Sequence, residues 1–203
     1  MKLSTALPTA LVLVAAGFGF SVAEREGAVL GVVAGAVAAF PLCGVRLKEA
    51  IAPASLAAVS AVASLALLGG SLGAVALAVA CLGVIQIGAT LMVATFARGA
   101  ASSAGWAIGA FLIAIPFRTS ADSGLVPPWA ADGNPVTQLI YAAGIDWFRR
   151  PALYPVIGTA YSGSLAAGAD KTVLWGCLAA GVVAWVASGI VQACRTRHSG
   201  SQP

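Results

Sequence analysis

Eight side chains between residues 118 and 171 have types suited to chemistry: Asp122, Asp132, Asp146, Arg149, Arg150, Tyr154, Tyr161 and Ser162. Carboxylates serve as general acid and base, and two adjacent arginines can grip a phosphate or carboxylate bidentately. The setting argues for a simpler use of some of them. Asp146 lies three and four residues before Arg149 and Arg150, the spacing of pairs within one helix. The one histidine, His198, sits near the C-terminus, so the segment has no Ser-His or Cys-His pair and no metal-ligand spacing. Cys43, Cys81, Cys177 and Cys194 form no CxxC pattern and read as small apolar residues. No phosphate-binding loop, dinucleotide fingerprint or nucleophile elbow is present. The sequence therefore predicts no catalytic residue, no metal and no cofactor.

One further polar group stands apart. Gln86 lies inside a 48-residue charge-free run, 50–97, with Thr90 one turn on along the same helix face. An amide in such surroundings bonds a neighbouring helix or lines a solute path.

What must position these residues follows from composition. Of 203 residues 60% are hydrophobic and 9% charged, with a mean hydropathy of +0.95. Soluble domains carry about 25% charged residues to cover their surface, and disordered chains need low hydrophobicity. Both classes are excluded, and the bilayer is the solvent the composition fits. The net charge of +4 is spread singly or in pairs, with no basic stripe, so no nucleic-acid partner is expected.

A helical crossing needs about 20 apolar residues. The other charge-free runs are 3–23, 27–45, 99–117, 151–169 and 172–194. The run 50–97 is long enough for two helices and breaks at Gly69-Gly70-Ser71. The expected architecture is all-α: a polytopic bundle of about six spans (3–23, 27–45, 50–69, 72–97, 99–117 and 172–194). Residues 118–171 then form an extracytoplasmic segment, and 195–203 a cytoplasmic tail. Within that segment Asn134-Pro135 is a helix start signal, and Val136, Leu139, Ile140, Ala143 and Trp147 recur at helical spacing. This predicts a short amphipathic, interfacial helix over 135–150. The stretch 151–169, broken by Pro151 and Pro155 and rich in hydroxyls, reads as re-entrant or interfacial.

Short cytoplasmic loops are enriched in Lys and Arg. With six spans and the N-terminus inside, Lys2, Arg46, Lys48, Arg98, Arg195 and Arg197 lie on the inner side, and Arg25 is the lone cation of the short outer loops. The expected location is the cell membrane with both termini cytoplasmic. Residues 1–23 also fit a secretory signal ending at Ser21-Val22-Ala23, against which stands a first transmembrane helix directly followed by more spans.

In lipid, helices associate where small residues let backbones approach. Such ladders run through Gly27, Gly31, Gly35 and Ala39, and through Gly176, Ala180, Ala184 and Ser188. They suit packing inside the chain's own bundle or a homo- or hetero-oligomer contact. Three functions follow, in order of fit. The first is a non-catalytic subunit or accessory protein of a membrane complex. The second is a small permease for a solute or lipid, with Gln86 near the path. The third is an outer-face enzyme on a lipid-linked or anionic substrate, using Asp146, Arg149, Arg150 and Tyr154.

Overall fold

The computed structural model describes residues 3–118, 133–145 and 171–199. These fold into six α-helices: α1 (Leu3–Ala39), α2 (Leu47–Leu67), α3 (Leu72–Ala94), α4 (Ala101–Arg118), α5 (Pro135–Ala142) and α6 (Lys171–Ser199). Single 3₁₀ turns at Phe40–Leu42 and Arg98–Ala100 follow α1 and precede α4. Among the described residues there is no strand. Five stretches are long and apolar enough to cross a membrane: Ala6–Leu42, Leu47–Leu67, Leu72–Ala94, Arg98–Ile115 and Leu174–Val191.

The first of these stretches doubles back on itself. At Ala23 and Glu24 the backbone leaves helical geometry (φ −145°, ψ 35° and φ 49°, ψ −132°), where Glu24-Arg25-Glu26 interrupts the apolar run. The two arms lie antiparallel, with Gly19 opposite Gly27, Ala15 opposite Gly31 and Val12 opposite Gly35. A Cβ on Gly27 would collide with the Gly19 carbonyl, and one on Gly31 with the Ala15 carbonyl. The ladder Gly27–Gly31–Gly35 therefore packs backbone against backbone within the chain.

The remaining register follows from named contacts. The return arm and α2 are antiparallel, joined near Arg25 and Leu68 at one end and near Gly44 and Ala50 at the other. Helices α3 and α4 are antiparallel, with Thr90 beside Gly105 and Gln86 beside Gly109. Helix α6 runs parallel to α3: the Cys81 thiol donates to the Leu174 carbonyl (2.8 Å), Gly181 abuts Val84, Trp185 Nε1 donates to the Val84 carbonyl (2.8 Å), and Ser188 faces Met92. Helix α3 is the axis of the bundle, packed by α2, α4, α5 and α6, and it is the most buried of the long helices. The second ladder divides on this geometry. Ala184 and Ser188 reach α3, whereas Gly176 is exposed, with nothing among the described residues within 4 Å of its Cβ direction.

Helix α5 differs from its sequence expectation in two ways. It stops at Ala142 in a glycine turn, and it is buried instead of interfacial. Gly144 takes φ +76° while its N–H donates to the Tyr141 carbonyl (2.8 Å) and Ile145 N–H to the Ile140 carbonyl (3.2 Å). A left-handed residue at this place closes a helix and suits glycine. The polar residues Thr137 and Gln138 of α5 are 1% and 2% exposed. The reason is that α5 is enclosed by α1, α3, α4 and α6, which leaves only Tyr141 of its residues partly exposed.

Packing this close gives a paired expectation. Gly31→Val, which inserts atoms between two backbones, should lower unfolding stability in detergent by about 1–3 kcal/mol, the usual cost of overpacking. Gly17→Val, on the same arm with open space at its Cβ, should leave the unfolding midpoint unchanged.

Candidate functional site

In lipid no water completes the hydrogen bonds of a backbone, so a carbonyl that loses its helical partner needs another donor. Proline removes such a partner. The Val37 carbonyl would bond the N–H four residues on, but that residue is Pro41, and the Leu112 carbonyl faces Pro116 in the same way. In both places a side chain supplies the missing donor. Gln86 Nε2 reaches the Val37 carbonyl (3.0 Å) and, on the other side, the Gly105 carbonyl (3.2 Å). Asn134 Nδ2 reaches the Leu112 carbonyl (2.5 Å).

The Gln86 amide is fully enclosed. It lies between the return arm of α1 and α4, and α4 makes room for it with glycine: a Cβ on Gly109 would strike the amide, and one on Gly105 would strike the Thr90 hydroxyl and Pro41. Thr90 donates back to the Gln86 carbonyl (2.9 Å). Gln86 Oε1 has no hydrogen-bond partner among the described residues. The amide's donors thus tie three helices together.

Asn134 does two things at once. Its Oδ1 accepts from the Val136 N–H (2.9 Å), capping α5, while its amide nitrogen docks that cap onto α4. Leu112 lies one helical turn from Gly109, and so about one turn from the Gln86 amide. At the other end of α5, the Ser71 N–H donates to the Ala142 carbonyl (2.9 Å). Because Ser71 opens α3, the short helix runs back along the first half of α3. Eight residues span about 12 Å, under half the roughly 30 Å of hydrocarbon.

The same end carries Arg25. Its Nε donates to the Leu68 carbonyl (2.5 Å) and its Nη2 to the Ala143 carbonyl (3.0 Å). Leu68 and Ala143 are the residues at which α2 and α5 end, each followed by a glycine with positive φ, Gly69 (+94°) and Gly144 (+76°). The last carbonyls of a helix have no intrahelical donor and carry the negative end of its dipole. One guanidinium thus closes two helix ends and holds both against the hairpin tip of α1.

Among the sequence-predicted site residues the structure places Gln86, Gly27, Gly31, Gly35 and Gly176 as described, while Asp146, Arg149, Arg150 and Tyr154 lie outside the described residues. Sequence reasoning missed Arg25, Asn134 as a tertiary donor, Gly105, Gly109 and Gly181. For two of the docking points a signal existed, since Pro41 and Pro116 mark the carbonyls four residues earlier. Among the described residues no group of three or more His, Cys, Asp or Glu is arranged to hold a metal. Comparison with protein-family models, curated proteins and solved structures finds no match.

The placement of α5 has a direct check. With the four native cysteines replaced by alanine, Ser71→Cys with Ala142→Cys should form an intramolecular disulfide in membranes under mild oxidation, because their backbones are hydrogen-bonded. A helix lying on the membrane surface would leave both thiols free.

Proposed function

We propose that this chain is a membrane-embedded, non-catalytic subunit, a bundle of six crossings that acts through its outer surface in an assembly with other chains. The observation that carries this reading is the use of its side-chain donors. The donors of Gln86, Asn134 and Arg25 are committed to backbone carbonyls, among them those of Val37, Leu112, Leu68 and Ala143 that proline or a helix end has orphaned, so these donors hold helices together. Gln86, the residue a permease would place beside its path, is enclosed on every side.

The six crossings rest on helix direction. The arms of α1 are antiparallel, the return arm and α2 are antiparallel, α3 and α4 are antiparallel, and α6 parallels α3. That alternation suits both termini on one side of a cell membrane. The distribution of cations supports the cytoplasmic side for them, since Arg46, Lys48 and Arg98 lie at the opposite end from Arg25, and Arg25 has a structural use that explains its exception to the charge rule.

Support for an assembly comes from small residues on α6 that no described element covers. Gly176 and Ala180 are exposed, and nothing among the described residues lies within 4 Å of the Gly176 Cβ direction. Small residues on a lipid-facing helix admit a second helix closely. Extracted in a mild detergent from its native membrane, the 20.0 kDa chain should have a protein mass, by light scattering, of more than one copy or of a complex. Gly176→Leu should reduce that mass to the monomer without lowering the unfolding midpoint. Gly181→Leu, which strikes Val84, should destabilise the bundle itself. A wild-type monomer that supports its cellular phenotype alone contradicts the reading.

A further inference from the structure

The two ends of the bundle differ in charge. At the hairpin tip of α1, Arg25 stands between Glu24 and Glu26 and spends its donors on helix ends. At the other end lie Arg46, Lys48 and Arg98, all exposed, and the last two turns of α6 bring Arg195 and Arg197. Helix α6 outruns α3 here. Ser188 faces Met92, two residues before α3 ends, and α6 continues to Ser199, about 13 Å beyond the level of Ala94. Among the described residues the one acid at this end is Glu49, which pairs with Arg46 (3.4 Å). Five cations therefore stand against a single carboxylate.

The height of these cations and their neighbours point to what they meet. Arg46 follows the end of one apolar stretch at Leu42 by four residues, Lys48 and Arg98 open the next ones on this side, and Arg195 follows Val191 by four. All of them stand where a span meets the headgroup layer. Beside them the chain exposes apolar side chains, Ile51 one turn from Lys48 and Phe96 two residues before Arg98, both more than half uncovered. A cation next to an uncovered apolar group matches an amphiphile with an anionic head and a hydrocarbon tail. A zwitterionic lipid would cover the apolar group and leave the positive charge unmatched, and a nucleic acid would leave the apolar group bare. We propose that this end of the bundle binds anionic phospholipids by their headgroups, with Arg98 and the projecting end of α6 as the principal contacts. Arginine suits a phosphate because its planar fork offers two parallel N–H donors. Attraction to an anionic leaflet falls off within a Debye length, so cations at headgroup height feel it most. The inference is independent of the subunit reading: a monomer can hold such lipids, and an assembly can lack them.

The test reconstitutes the full chain in vesicles of equimolar phosphatidylcholine and phosphatidylglycerol and counts the lipids it retains on release into native mass spectrometry. Phosphatidylglycerol should be retained severalfold over phosphatidylcholine. Arg98→Gln, at an exposed position, should cut that preference by up to about fivefold, the scale for one basic residue at an anionic surface. Adding Arg195→Gln and Arg197→Gln should abolish it. Glu24→Gln, a charge change of the same size at the opposite end, should leave it unmoved. Equal retention of the two lipids in the wild-type chain, or a preference that survives all three arginine substitutions, overturns the proposal. So does a preference that Glu24→Gln raises as much as Arg98→Gln lowers it, since net charge and not this end of the bundle would then select the lipid.

Discussion

The arrangement of this bundle depends on how carbonyls without a helical partner are satisfied. A lipid-embedded helix is self-sufficient except at its ends and upstream of a proline. Of the prolines at 8, 41, 53 and 116 in or just after the long helices, those at 41 and 116, together with the helix ends at Leu68 and Ala143, are answered by a side chain from elsewhere in the sequence. Because the donor and acceptor belong to different helices, repairing the backbone also fixes the tertiary arrangement. Gln86 sets α3 against α1 and α4, Asn134 sets α5 against α4, and Arg25 sets the tip of α1 against the ends of α2 and α5.

Close approach is the second half of the same economy. Hydrophobic burial provides no drive between helices in lipid, so contact area and hydrogen bonds must supply it. Glycine gives both: it brings the two arms of α1 into backbone contact and opens the pocket in α4 that admits the Gln86 amide. A larger residue at Gly109 would separate Gln86 from its carbonyls as well as the helices from one another.

Much of the helical layout was legible in the sequence, because charge placement and length limits bear directly on spans. Gly69-Gly70-Ser71 marks the break between α2 and α3, and Asn134-Pro135 marks the start of α5. The end of α5 was harder to read, since apolar spacing continues to Trp147 while the local stop is one glycine, Gly144, whose positive φ shows only in three dimensions. The ladder at Gly27, Gly31 and Gly35 was visible, but not that its partner is the preceding arm. The ladder on α6 misled more. Alanine and glycine face several directions there, and Gly181 contacts α3 while Gly176 does not. Arg25 read as a mere exception to the charge rule, because the carbonyls it serves are 43 and 118 residues away.

The claim that Gln86 serves a carbonyl orphaned by proline can be measured as a coupling. In a double-mutant cycle of Gln86→Met and Pro41→Ala, followed by unfolding in mixed detergent, Pro41→Ala returns an N–H to the position four residues after Val37. The account predicts that Gln86→Met costs about 0.6–1.7 kcal/mol in the native background, the range for interhelical hydrogen bonds in membranes, and clearly less once Pro41 is alanine. An equal cost in both backgrounds would show that Gln86 is not answering the proline, and would contradict the account.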